Sequence, residues 1–314
     1  MPVPTRSEWL QEGLRSNRWM FISGCPRSGT TIMIQAFAGL PNIQATNIGV
    51  FPTQVSAIYR NAPEDLRAAI EFLLAFNVVD YVDHRQRSRS DAIADSIAGR
   101  LSLRELIRAI GPHPSGAKPR QISALICKEP FLAFAPDLVE RALPASCHLF
   151  LTRDGRDAAD SLVRTYNILS DADLIDPRSN EVMQGRWRGR YCVPWWVDEH
   201  DEDNFLQLSQ YCRAVYMWRS IVRSYFPYVQ RGSMEEHTII HCKYEEFVSS
   251  PFTEMIRLLQ DSHLPSAVSK STARRWSRFH AKSIGVHRTR SSAEVEQATA
   301  LIEPELLMMG YKTS

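Results

Sequence analysis

The chain lacks net charge: 37 lysines and arginines stand against 35 acidic residues in 314, a formal +2. So weak a field excludes the basic surface on which nucleic-acid binders rely. It also lacks any apolar run long enough to span a bilayer, and residues 1–18 have no apolar stretch of the kind a secretory signal needs. With Met1 opening the chain, the expectation is a cytoplasmic protein with no membrane partner; the other possibility is a chain trimmed of an anchor. Cysteine is sparse. Cys25, Cys127, Cys147, Cys192, Cys212 and Cys242 occur singly, several inside apolar runs, as reduced core thiols do. None has a metal-site spacing, so no metal is expected. No internal repeat and no low-complexity tract is present.

What is present is an alternation. Strand-like runs at 19–23, 121–127, 147–152 and 237–242 are separated by helical stretches, among them 30–39, 64–76, 100–110, 134–143, 156–169, 206–226, 251–260 and 294–309. Strands joined by helical crossovers predict an α/β fold, a single domain over residues 1–314 with a mainly parallel central sheet flanked by helices. Ligands of such sheets bind at the carboxyl ends of the strands. Two segments break the pattern. Residues 77–99 hold Asp80, Asp83, His84 and several arginines without clear periodicity. Residues 170–205 carry Arg186, Trp187, Arg188, Arg190, Tyr191, Trp195 and Trp196. An insertion of that length predicts a lid or an acceptor-binding segment.

The first motif follows the run Trp19–Ser23 directly: Gly24-Cys25-Pro26-Arg27-Ser28-Gly29-Thr30-Thr31. A buried strand entering a glycine-bearing turn and then a helix aims backbone N–H groups and the positive helix end at one anion. The spacing meets the first half of the P-loop pattern, but Thr30 stands where that pattern requires lysine. The cation has moved into the loop as Arg27, which argues against a magnesium-bound triphosphate.

The second motif follows the run Cys147–Thr152: Arg153-Asp154-Gly155-Arg156-Asp157, then Ser161, with Asp154 or Asp157 suited to capping the next helix. Together, Pro-Arg-Ser-Gly-Thr-Thr and Arg-Asp-Gly-Arg-Asp-(x)3-Ser resemble the two cofactor motifs of sulfotransferases that use 3′-phosphoadenosine 5′-phosphosulfate (PAPS). The likeness is to a bacterial-type soluble member with features of the tyrosylprotein branch. It implies a P-loop nucleotide-kinase-like fold, PAPS as co-substrate, and the 5′-phosphosulfate on Arg27, Ser28, Gly29, Thr30 and Thr31. It places the 3′-phosphate on Arg153 and Ser161. Lys128, in Lys128-Glu129-Pro130-Phe131, resembles the lysine near the transferring group, and Tyr244 a tyrosine beside the cofactor. Ser283 to Arg288 resembles the late cofactor-closing loop, giving Ser283 and Arg288 as further ligands, although Val286 and His287 depart from its usual residues.

Sulfuryl transfer is an in-line displacement dominated by positioning and electrostatics. The expected catalytic groups are Arg27, Lys128 and a general base. The resemblance supplies no base: Ile48 stands where the tyrosylprotein branch has glutamate, and Pro130 where the cytosolic branch has histidine. His84 ranks first among the remaining candidates, followed by Glu129, Asp83 and His113. The acceptor is expected to be a hydroxyl of a glycoside, acidic sugar or phenolic compound, with the 170–205 tryptophans stacking on it and its arginines pairing with an acidic group. Two rival readings remain: a P-loop kinase or triphosphatase with a degenerate loop, and a non-catalytic binder of PAPS or its bisphosphate product.

Overall fold

The computed structural model describes residues 6–16, 18–38, 40, 43–46, 55–84, 124–177, 185–234, 237–264, 268–279 and 283–313. The expected helix at 100–110 lies outside them. Among the described residues five strands build one sheet: β1 Arg18–Ser23, β2 Ile43–Thr46, β3 Ala124–Lys128 and β4 Ser146–Thr152, with Thr238–Lys243 at the far edge. Between β4 and that edge strand the chain makes a small hairpin, β5 Gly185–Arg188 and β6 Tyr191–Pro194, so the edge strand is β7. The sheet order is β2-β3-β1-β4-β7 and every pairing in it is parallel. The mainly parallel α/β sheet expected from the sequence is therefore present.

Why β1 and β4 sit centrally is legible in their residues. All of β4 and all of β1 except Arg18 are buried, as strands covered on both faces must be. Alternation divides the side chains between two layers. Met20, Ile22, Leu149 and Leu151 pack with Met33, Phe37, Met255 and Trp276. Trp19 and Phe21 face Leu125, Leu138 and Val79 on the opposite side. Phe150 points into a further cluster with Trp218 and Tyr225 of the long helix Gln210–Arg231, which Ser209 caps by accepting from Cys212 N–H. All six cysteines are buried and none forms a disulfide. No helix among the described residues is long and apolar enough to cross a membrane.

The pairing of β1 with β4 places Ser23 beside Phe150, so both chains leave the sheet at adjacent carboxyl ends. That adjacency unites two motifs separated in sequence by more than a hundred residues. Two histidines lie in the same sheet. His148 Nε2 meets Ser23 Oγ at 2.7 Å, and His241 Nε2 meets Thr152 Oγ1 at 2.7 Å. Burial, with His237 adding to it, pushes His148 down to about 3; burial, then Lys243 and Arg257, push His241 down to about 4.

Both imidazoles are thus neutral in the fold and take up protons more readily once unfolded. Their penalty is absent above the unfolded value near 6.5 and grows as pH falls from there toward 3–4. Between pH 7 and pH 5 His148 alone should remove about 2 kcal/mol of stability. Urea unfolding at the two pH values should show a smaller loss for His148→Leu than for the wild type; equal losses would contradict this assignment.

Candidate active site

The loop after β1 is set by two glycines. Gly24 has φ 140°, and a Cβ there would lie 2.1 Å from Leu151 O, so only glycine lets the loop cross β4. Gly29 has φ 93°, with its Cα against the Tyr244 ring; a Cβ would come within 2.4 Å of that ring. Arg27 also takes a left-handed φ of 71°, a conformation that costs a non-glycine residue energy and is often kept for function. The helix Thr30–Phe37 begins its ladder with Met33 N–H to Gly29 O at 2.9 Å. The amides of residues 30–32 therefore have no acceptor within the helix and form an anion-facing end.

The second turn meets this loop through Arg153. Arg153 is only 3% exposed, and its guanidinium donates from Nη1 to Arg27 O at 3.0 Å. Nη2 donates to Ser283 O, and the group lies 5.1 Å from the Tyr244 ring centroid. Tyr244 Oη meets Ser283 Oγ at 2.9 Å. Trp218 Nε1 donates to Arg153 O at 3.0 Å and fixes the backbone. Arg27 Nε donates to Ser161 Oγ at 3.1 Å, and its guanidinium lies 5.5 Å from the Tyr166 ring centroid. Lys128, at the end of β3, donates to Thr31 Oγ1 at 3.2 Å.

The fold thus brings together Arg27, Ser28, Gly29, Thr30, Thr31, Lys128, Arg153, Ser161, Tyr244 and Ser283. Ser161 reaches Arg27 rather than Arg153. Arg288 is exposed, and its side chain makes no hydrogen bond among the described residues. Neither Arg27 nor Arg153 forms an ion pair with a described carboxylate. Two buried polar atoms here lack a partner, Ser28 Oγ and Arg153 Nε. Among the described residues, two cations without counter-ions and two unsatisfied buried polar atoms surround one loop, an environment that suits an anion. Cys25, in the same loop, is no reactive thiol: burial raises its pKa well above the ordinary range, against the opposing pull of Arg153.

Of the two caps the sequence left open one is used, and in 170–205 the arginines and one tryptophan depart from the sequence reading. Asp154, not Asp157, caps the helix Gly155–Tyr166, accepting from Arg156 N–H at 2.9 Å. Within 170–205, Arg186 and Arg188 both pair with Glu202, itself 2% exposed, so their charge is already largely matched inside the segment rather than set aside for an acceptor. Trp196 is 3% exposed and packs edge-on against Phe205, so it cannot stack on an acceptor. Trp195 instead meets Phe134, a few residues beyond Lys128, with ring centroids 4.8 Å apart.

The base candidates separate by place. Glu129 follows β3 directly, beside Lys128, and accepts from Phe131 N–H at 3.4 Å, capping the 3₁₀ helix Pro130–Phe134. Burial lifts its carboxyl to about 7, against the pull of that hydrogen bond and of Lys128. His84 closes the helix Glu64–His84. Near that end Val79 packs on Gly13 of the helix Arg6–Ser16, which feeds the amino end of β1, opposite the loop. The side chains of Asp83 and His84, and all of His113, lie outside the described residues.

The sulfotransferase family model matches residues 20–267. Among solved structures, the sulfotransferase STF9 from Mycobacterium avium shares 13% identity at a TM-score of 0.49, covering 98% of this chain and 83% of that one. A sulfotransferase from Alicyclobacillus acidocaldarius shares 16% at 0.44, covering 92% and 93%. The sulfotransferase domain from the curacin biosynthetic pathway shares 13% at 0.43, covering 94% and 98%. No curated protein matches the chain. On the span of that family model, which includes the turns after β1 and β4, the chain belongs to the sulfotransferase family.

Proposed function

We propose that this protein transfers the sulfuryl group of PAPS to a hydroxyl of a small-molecule or glycoside acceptor. The observation that carries the reading is the pair of guanidiniums, Arg27 and Arg153, without carboxylate partners among the described residues, at adjacent carboxyl ends of β1 and β4. The residues fit such a donor. Ser28 Oγ, the amides of residues 30–32, the Thr30 and Thr31 hydroxyls and Arg27 would hold the 5′-phosphosulfate. Arg153 Nε and Ser161 would hold the 3′-phosphate, with Tyr244, Ser283 and Arg288 at that end. The donor supplies an activated sulfuryl group bonded to a phosphate oxygen. Arg27 and the helix N-terminus stabilise the negative charge that appears on that oxygen as the S–O bond breaks, and Lys128 sits beside Thr31 to share it.

The proton of the attacking hydroxyl goes to Glu129 in this reading. It is the described carboxylate next to Lys128, and a carboxyl near 7 suits a base at neutral pH. Strand alternation from Lys128 is relaxed by the Pro130 turn that follows. The acceptor then lies over the Pro130–Phe134 segment, with Trp195 as its aromatic wall. A phenolic or glycosidic acceptor suits that wall.

Calorimetry should show binding of 3′-phosphoadenosine 5′-phosphate without metal and far tighter than ATP; equal affinities, or a need for Mg²⁺, would favour a kinase. Arg153→Ala should weaken that bisphosphate by about 1.5–3 kcal/mol, roughly 10- to 150-fold, through loss of a charge-assisted contact. Glu129→Gln should lower kcat on a phenolic acceptor such as 2-naphthol by roughly 10²–10⁴ and leave bisphosphate affinity alone. Wild-type kcat/KM should rise with pH through about 7, since the base works deprotonated. Full activity in Glu129→Gln with loss in His84→Ala would move the role to His84. Trp195→Ala should raise the acceptor KM and leave the Kd of the bisphosphate unchanged; a joint change of both would make Trp195 structural.

A further inference from the structure

Asp157 is spent neither on capping its helix nor on an ion pair with a described lysine or arginine, yet it is 1% exposed. Its carboxylate is taken up entirely by one distant segment. Gly285 N–H donates to Oδ2 at 2.6 Å, His287 N–H to Oδ1 at 3.0 Å, and His287 Nδ1 meets Oδ1 at 2.5 Å. His287 is itself buried. Gly285, at φ 75°, turns the chain so that both amides converge on the carboxylate. Burial alone would raise Asp157; the His287 ring and the two backbone N–H groups outweigh it and hold the carboxyl below its ordinary value.

The same helix face carries the rest of the segment. Asp160 Oδ1 accepts from Arg290 Nε at 2.6 Å, and Arg164 Nη2 donates to Thr289 Oγ1 at 2.5 Å. Positions 157, 160, 161 and 164 share one face at helical spacing, and Ser161 on that face receives Arg27. The other anchor of the segment is its first residue, Ser283, whose carbonyl takes Arg153 Nη2 and whose hydroxyl meets Tyr244. The 5′ loop, by contrast, is held by β1, its own helix, Pro130 O and contacts of Arg27 with Arg153 and Ser161, and has no hydrogen bond to residues 285–289 among those described.

We propose that Asp157 is a positioning residue: it holds Ser283–Thr289 in place before any nucleotide binds, so that Arg153 is aimed and the site prefers nucleotides bearing a 3′-phosphate. This rests on the nucleotide reading above. Removing the carboxylate leaves three donors without an acceptor, and buried donors left so do not stay in place. The segment would leave Asp157, Ser283 O would drift from Arg153, and order now built into the protein would have to be supplied by the ligand.

The test uses the full chain and two readouts. In Asp157→Ala, affinity for 3′-phosphoadenosine 5′-phosphate should fall about tenfold or more while affinity for 5′-AMP stays within about twofold. Amide hydrogen exchange at Gly285 and His287 should accelerate by about tenfold or more in the absence of nucleotide. Asp157→Asn keeps the volume and one acceptor oxygen, so it should shift both readouts the same way by less. An unchanged ratio of the two affinities, an equal loss for both ligands, or undiminished protection at 285 and 287 would overturn the proposal. Failure of the wild type to prefer the bisphosphate would overturn the nucleotide reading and the selectivity role with it, and the exchange readout would still decide whether Asp157 holds the segment.

Discussion

Three parts of the candidate site meet at the guanidinium of Arg153. It is buried, donates to the carbonyl of Arg27 in the first turn and of Ser283 in the late segment, and lies over the ring of Tyr244 after β7. Three segments that the sequence keeps far apart are therefore fixed to one charged plane. A buried guanidinium without a carboxylate is costly unless its donors are satisfied. Here two carbonyls satisfy part of that need and Nε is left over. That residue of unmet demand is the physical basis for an anion at this place.

The sheet makes the meeting possible. Parallel pairing of β1 with both β3 and β4 puts the loop after β1, Lys128 and Arg153 at neighbouring carboxyl ends. The helix after β4 then serves two ends of the site with one face, Ser161 toward Arg27 and Asp157, Asp160 and Arg164 toward residues 285–290. A smaller brace closes the far side: Glu245, next to Tyr244, accepts from Asp154 N–H at 3.0 Å and from Tyr311 Oη at 3.0 Å. The C-terminal residues thereby back the turn that carries Arg153.

Much of this was legible in the sequence because the signals were local. The runs read as strands coincide with β1, β3, β4 and β7 to within a few residues, since buried parallel strands are nearly continuous apolar stretches. β2, Ile43-Gln44-Ala45-Thr46, has only four residues and a mixed pattern, so nothing local marked it. The hairpin Gly185–Pro194 was hidden by its arginines. Arg186 and Arg188 alternate as a strand face should, but their partner Glu202 lies in a different element. The helix after Glu64 runs to His84 rather than ending near 76 because Val78 and Val79 are buried against the first helix, a tertiary reward no propensity shows. Asp157 was missed as an anchor for the same reason: its three donors lie about 130 positions away. His287, read as a departure from the family's loop, proves to be a buried partner of that carboxylate.

The central claim is that the two turns together hold one nucleotide bearing phosphates at both ends. A crystal structure of the protein with 3′-phosphoadenosine 5′-phosphate tests it most directly. The account predicts the 5′-phosphate within hydrogen-bond reach of Ser28 Oγ and the amides of residues 30–32. It also predicts the 3′-phosphate at Arg153 and Ser161 beside the Ser283–Thr289 segment. A bisphosphate bound elsewhere, or seated with its 3′-phosphate away from Arg153, would contradict it.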